Sequence, residues 1–223
     1  MVLTALPLLL LPPRVMVAFA QFWERGIQWL LRNLIGLGYE RRGWERVPAG
    51  PVIFAFKHQS AWETLTCHLL IDDAAVALKQ ELTQIPLFGW YLIHAGMIRI
   101  DRGRGATALR SLVRGAQAAL ARGSRVVIFP EGTRVAPGEQ KPYQAGVAAL
   151  YLQLGLPVVP VALNSGLFWR RRGFIKRPGR IVVEFLEPIA PGLERKPFMA
   201  ELKRRLEGAT TRLIEEARGK EAG

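Results

Sequence analysis

Val52-Ile53-Phe54-Ala55-Phe56-Lys57-His58-Gln59-Ser60-Ala61-Trp62-Glu63 runs from an apolar pentad through a short polar turn into what reads as the opening of a helix. The pentad follows the turn signal Pro48-Ala49-Gly50-Pro51 and has the composition of a short buried strand. Ser60 and the residues after it predict a helix over 60–70. A strand feeding a helix through a tight turn is the repeating unit of an α/β sheet. Such turns are where open α/β sheets place ligand sites, because the loop is exposed while strand and helix hold it rigid. His58 falls on the turn, and Glu63, five positions on, is close enough to fold back to the imidazole. A carboxylate on one ring nitrogen fixes the tautomer and leaves the other nitrogen to take a proton from a hydroxyl. The same Ser60-x-x-Glu63 spacing is also a capping box, in which Glu63 bonds the Ser60 N–H and does no chemistry. The stretch alone leaves both uses open.

Outward from this unit, strand-like and helical segments alternate after Gly36-Leu37-Gly38, which implies an α/β domain with a mixed, largely parallel sheet flanked by helices. Strands are expected over 52–56, 75–79, 96–100, 125–129, 157–163 and 180–186, and helices over 60–70, 87–94, 104–122, 146–154 and 197–217. In the 104–122 helix, Leu109, Leu112, Val113, Ala116 and Leu120 form a core-facing stripe, while Arg110, Arg114 and Arg122 face outward. Met199, Leu202, Leu206, Ala209 and Leu213 make a similar stripe near the C-terminus.

The length of 223 residues suits one domain with a small appendage. Residues 1–38 are expected to be an apolar and amphipathic, membrane-associated helical segment, and residues 39–223 the α/β domain. Pro7, Pro12 and Pro13 divide the first apolar run, which makes a straight membrane span marginal and an interfacial anchor at least as good a reading. Arg14 inside that run argues against a cleaved leader. From Val15 to Leu37 the pattern is helical, with Phe19, Phe22, Trp23, Ile27, Leu30, Leu31 and Leu34 apolar against Glu24, Arg25, Gln28 and Arg32. Either an interfacial helix or one packed on the domain satisfies it. Phe168 and Trp169, beside Arg170-Arg171-Arg172, Lys176 and Arg177, suit an interfacial loop or a solvated basic one.

Lys and Arg number 31 against 18 Asp and Glu, a formal charge of +13, so the expected partners are anionic. The chain has no Cys/His zinc spacing, no aromatic RNA-binding signature and no isolated basic recognition helix. A nucleic acid is therefore not expected, and an anionic phospholipid membrane is. The single Cys67 forms no intrachain disulfide and, beside His68, lacks the further ligands a metal needs.

Three more stretches lie at strand ends. Gly96-Met97-Ile98-Arg99-Ile100-Asp101-Arg102 and Phe129-Pro130-Glu131-Gly132-Thr133-Arg134 each place an arginine where its planar fork can clamp a phosphate, and Gly132 lets the backbone approach a ligand. In Val158-Val159-Pro160-Val161-Ala162-Leu163-Asn164 the proline argues for a strand edge or a shaped wall.

Taken in order with His58-x4-Glu63, these stretches resemble the four motifs of the glycerolipid acyltransferases, most closely the bacterial 1-acylglycerol-3-phosphate acyltransferase branch, over roughly residues 50–190. The Phe-Pro-Glu-Gly-Thr-Arg block is the most specific part. The resemblance implies that His58 is the general base and Glu63 its orienting partner. Arg102 and Arg134 then hold the acceptor phosphate, Glu131, Gly132 and Thr133 shape the acceptor site, and Pro160 lies near the acyl chain. It implies transfer of a fatty acyl group to the 2-hydroxyl of lysophosphatidic acid, giving phosphatidic acid for phospholipid biosynthesis, with acyl-CoA or acyl carrier protein as thioester co-substrate. Neither metal nor prosthetic group is implied, and the place of action is the cytoplasmic face of a bacterial inner membrane. Rival readings are another acceptor, such as lyso-ornithine lipid or glycerol 3-phosphate, and a catalytically silent basic membrane-binding protein. Lys79 and nearby backbone N–H groups are the candidates for stabilising the oxyanion. Many members carry aspartate where this chain has Glu63, so the extra methylene lengthens the reach to His58.

Overall fold

The computed structural model describes residues 9–101, 103 and 105–221. Seven strands form one sheet: β1 (Leu37–Arg42), β2 (Ile53–Phe56), β3 (Ala74–Lys79), β4 (Ile98–Ile100), β5 (Arg125–Ile128), β6 (Val158–Leu163) and β7 (Gly179–Phe185). Their order is β1-β7-β6-β2-β5-β3-β4, parallel throughout except for the antiparallel β6–β7 pair. The expected mixed, largely parallel sheet is the one observed. Every residue of β2 and β6 is buried, which a strand in mid-sheet achieves only when helices cover both faces.

Strand alternation sorts β2 between two cores. Ile53 and Ala55 point to one face, where they meet Leu112, Val113 and Ala116 of α4 (Gly105–Ala121), Val147 and Leu150 of α5 (Ala145–Leu154), and Phe198 and Leu202 of α7 (Arg195–Glu221). Phe54 and Phe56 point to the other, against Phe185 and Trp44, whose ring centroids lie 5.0 Å apart edge to face. That second face is covered by α1 (Pro13–Leu30) and the short α2 (Cys67–Leu70). The remaining helices, α3 (Phe88–His94) and α6 (Ser165–Phe168), connect strands at the sheet's carboxyl edge.

Several expectations are corrected. The 60–70 helix is only the single turn of α2, and 60–66 is a series of turns. There the Glu63 carboxylate accepts the Gln59 and Ser60 N–H groups, while Thr64 and Thr66 hydroxyls bond the carbonyls of Ala61 and Trp62, so side chains compete with the helical ladder. Strand β1 was not expected. It begins at Leu37, so the division at 38/39 falls inside a strand. Pro160 is not at a sheet edge either, since β6 lies between β7 and β2. Its carbonyl accepts the Leu186 N–H on the β7 side, so the ring nitrogen faces that side too. Antiparallel pairing there jumps from Val161–Phe185 to Val158–Ile189, a bulge that asks no donor of Pro160.

Helix α1 starts with a proline at its first turn, where no N–H is needed, and runs into a π-helical turn (Leu31–Ile35) that stops at Gly36, φ 74°. It docks through polar side chains. Glu24 accepts from His68 Nδ1 (2.9 Å) and the Leu69 N–H (3.1 Å), and Gln28 bonds Trp62 Nε1 (3.1 Å) and Thr66 Oγ1 (2.8 Å). Part of the apolar stripe, Phe22, Leu30 and Leu34, is consequently exposed, as is Trp29 beside it. Among the described residues, no helix is long and apolar enough to cross a membrane.

Candidate active site

His58 is the second residue past β2, at the carboxyl edge where β5 and β6 also end and deliver Glu131 and Ser165. Its ring stacks on Phe129, with centroids 4.1 Å apart and planes at 26°. Nδ1 lies 3.0 Å from Glu63 Oε1. The same oxygen accepts the Gln59 and Ser60 N–H groups, each at 2.6 Å, and Oε2 accepts the Ser165 hydroxyl at 2.8 Å. An oxygen that already accepts two amides is an acceptor for the imidazole as well, so the proton sits on Nδ1 and the lone pair on Nε2. Capping and orienting are therefore performed together by one carboxylate. Glu63 is fully buried, whereas the His58 side chain keeps 14% of its surface, which leaves the ring accessible.

Beneath the imidazole is a buried charged layer. Lys57 Nζ donates to Glu131 Oε1 (2.5 Å) and to both oxygens of Glu207 (2.8 and 2.9 Å), and the Tyr143 hydroxyl donates to Glu207 Oε1 (2.8 Å). Glu131 Oε2 accepts the His58 N–H at 2.8 Å, and the His58 carbonyl accepts the Val135 N–H at 2.8 Å. Residues 131–135 thus grip both main-chain groups of His58. Burial pushes the Glu131 carboxyl above the usual carboxylate range, with Lys57 and the His58 amide pulling the other way. Burial likewise raises the Tyr143 hydroxyl, and the neighbouring Glu207 adds to it.

Of the expected site residues, His58, Glu63, Glu131, Gly132, Thr133 and Arg134 come together at this edge. Glu131 is turned inward, 2% exposed, so it shapes the site through the backbone of His58. Gly132 adopts φ 66°, a left-handed conformation suited to glycine, and its N–H closes a turn onto the Phe129 carbonyl (2.9 Å). Thr133 and Arg134 are half-buried, and no carboxylate among the described residues pairs with the Arg134 guanidinium. Arg102 lies outside the described residues. Pro160 is buried within β6, below the edge that carries His58. Lys79 ends β3 on that edge, exposed.

Ser165, Lys57, Glu207 and Gln59 were not anticipated. Gln59 Oε1 accepts the Gly166 N–H at 3.0 Å and so ties the His58 turn to α6. Two signals pointed their way: Ser165 directly follows the Val158–Asn164 stretch, and Glu207 is a charged residue beside the apolar stripe of α7. No group of three His, Cys, Asp or Glu side chains among the described residues is placed to hold a metal. Cys67 is packed in the core, where burial pushes its thiol up, and His68 serves Glu24.

A carboxylate-oriented histidine with an open Nε2, on the same carboxyl edge of a mostly parallel sheet as a half-buried arginine, is an arrangement that can do general-base chemistry in an α/β enzyme. The Acyltransferase family model matches residues 38–164, and the chain belongs to that family. It is 38% identical over 199 residues to the 1-acyl-sn-glycerol-3-phosphate acyltransferase of Pseudomonas aeruginosa, covering 89% of this chain and 77% of that protein. To the protein of the same name from Cocos nucifera it is 32% identical over 167 residues, 74% of this chain and 53% of the other. In fold it matches the crystal structure of the 1-acyl-sn-glycerophosphate acyltransferase PlsC from Thermotoga maritima, with a TM-score of 0.71 at 21% identity, covering 92% of this chain and 81% of that one.

Proposed function

We propose that this chain transfers a fatty acyl group from a thioester to the 2-hydroxyl of lysophosphatidic acid, giving phosphatidic acid. The observation that carries the reading is His58, held at Nδ1 by the buried Glu63 and open at Nε2. The names of the relatives at 38% and 32% identity support the choice of acceptor.

In the proposed reaction, His58 Nε2 takes the proton of the acceptor hydroxyl while its oxygen attacks the thioester carbonyl. The tetrahedral oxyanion collapses, the carbon–sulfur bond breaks, and the imidazolium returns the proton to the departing thiolate. Glu63 stabilises the imidazolium formed between the two steps. A positioned base contributes about 10²- to 10⁴-fold in rate; alignment of the substrates and oxyanion stabilisation supply the rest. Direct transfer fits the surroundings better than an acyl-enzyme. The Ser165 hydroxyl is engaged by Glu63, that of Ser60 accepts the Trp62 N–H, and Cys67 is buried with its thiol pushed up. The thioester supplies the activated acyl group, so the reaction calls for no prosthetic group or metal.

Arg134, together with Arg102, is proposed to hold the acceptor phosphate, with Gly132 and Thr133 shaping the loop that presents it. The formal charge of +13 attracts this acceptor and an acidic donor, acyl-CoA or acyl carrier protein. The exposed Phe22, Trp29, Leu30 and Leu34 of the N-terminal helical segment, with Phe174 and Ile175 beside Arg170, Arg171, Arg172 and Lys176, suit a protein lying on an anionic leaflet at the cytoplasmic face. The test incubates wild type and His58→Ala with lysophosphatidic acid and acyl-CoA or acyl carrier protein, following phosphatidic acid by mass spectrometry. Loss of product in the variant is expected; equal turnover by the two overturns the assignment. Faster acylation of lyso-ornithine lipid or glycerol 3-phosphate would replace the acceptor.

A further inference from the structure

The layer under His58 is anchored from the far end of the chain. Glu207, on α7, lies outside the residues the family model matches, yet its carboxylate takes both Lys57 Nζ and the Tyr143 hydroxyl. Lys57 is 1% exposed and passes the anchorage to Glu131, which holds the His58 N–H. Tyr143 passes it to the other end of the same loop, where the Gln144 N–H donates to the Pro130 carbonyl at 2.7 Å. The segment between these ends carries Gly132, Thr133 and Arg134.

We propose that Glu207 is a positioning residue for the acyl transfer: by clamping Lys57 and Tyr143 it fixes the main chain of His58 and both ends of the loop that carries Arg134. Three features set it apart from ordinary core filling. A buried lysine between two carboxylates is a costly arrangement, and replacing such a cluster by apolar residues of similar volume is often neutral or stabilising. Its three charged members are on three separate segments, at 57, 131 and 207, so the cluster fixes their relative position. Every path out of it that leads toward the site ends on a backbone group of the catalytic turn or its loop. Small displacements of a base cost rate steeply, because proton transfer demands hydrogen-bond reach.

The inference rests on the acyltransferase reading for its kinetic arm, and a second arm is independent of it. Glu207→Gln keeps the shape and removes the charge that holds Lys57. It is expected to lower kcat at least 10-fold, with KM for lysophosphatidic acid and for the thioester within about 3-fold. Hydrogen–deuterium exchange of the peptide spanning 53–60 should accelerate while the α4 and α5 peptides keep their protection. The double variant Lys57→Met, Glu207→Leu separates positioning from charge neutralisation. It is expected to keep the low kcat, because Glu131 has lost its clamp, and to melt no higher than Glu207→Gln, because Glu131 and the Tyr143 hydroxyl stay buried without Lys57 and Glu207. Recovery of wild-type kcat in the double variant, or unchanged kcat and exchange in Glu207→Gln, overturns the proposal. A wild type without acyl transfer whose 53–60 peptide still loosens in Glu207→Gln would reject the reaction and keep the positioning role.

Discussion

At the scale of single residues, Glu63 is the most heavily used group of the site. One oxygen serves His58 and two amides and the other serves Ser165. Glu63→Gln keeps the shape and an acceptor for the amides but removes the charge that stabilises the imidazolium. Initial rates of phosphatidic acid formation should fall about 10²-fold with KM little changed; a larger effect on KM than on kcat would contradict the orienting role. Arg134 is proposed to act on the phosphate of the same acceptor. A guanidinium–phosphate contact contributes about 1.5–3 kcal/mol, so Arg134→Ala should raise KM for lysophosphatidic acid about 10- to 100-fold and leave KM for the thioester alone. An effect confined to the thioester would reassign the residue. His58, Glu63 and Arg134 were legible because each sits in a short local pattern at a strand end. Ser165, Lys57 and Glu207 were not, because their partners lie 102, 74 and 150 positions away, beyond any local spacing.

At the scale of elements, hydrophobic periodicity located the buried strands β2 through β7 and the long α4 and α7, where packing and pattern agree. It missed β1, whose Gly38, Glu40, Arg41 and Arg42 leave little apolar signal on a half-exposed edge. It left α1 open between an interfacial helix and one packed on the domain, and it set Glu24 and Gln28 on the polar side, although both dock the helix on the domain. Glu24 is 3% exposed, and His68 Nε2 has no partner among the described residues, so His68 depends on this one carboxylate. Glu24→Ala leaves a buried imidazole and the Leu69 N–H unpaired, at a cost of about 1–3 kcal/mol. A melting temperature lowered by several degrees, together with new protease cleavage between residues 9 and 36, is the expected outcome. An unchanged melt and digest would mean that the apolar contacts of Met16 and Leu31 hold α1 unaided.

For the molecule as a whole, an ion network staples α7 to the far edge of the sheet. Arg42 of β1 pairs with Glu216 (2.9 Å), Glu216 with Arg212 (3.0 Å), and Arg212 with Glu184 of β7 (2.7 Å). Hydrogen bonding to Arg42 holds the Glu216 carboxyl below its ordinary value of 4.5. A lowered folded-state value means stability that is present above the unfolded pKa and lost as pH falls through the folded one. Glu216 is more than a third exposed, so solvent screens the effect. Glu216→Gln should cost under about 1 kcal/mol at neutral pH, and urea melts of variant and wild type should converge as pH falls through the lowered folded-state value of Glu216. A difference that persists in acid would point to packing rather than charge.

The same surface charge bears on where the protein works. Electrostatic attraction to an anionic leaflet is worth about 1 kcal/mol per basic side chain at the surface and is screened beyond about 8–10 Å at physiological salt. The proposed insertion of the exposed Phe22, Trp29, Leu30 and Leu34 would be apolar burial, which salt does not screen. Co-sedimentation with phosphatidylglycerol vesicles should therefore fall with added salt to a plateau above zero. Trp29→Ser with Leu34→Ser should lower that plateau and leave the salt-dependent part in place. Binding that salt abolishes completely would make the contact purely electrostatic, and α1 would then be a helix of the domain whose apolar face has some other use.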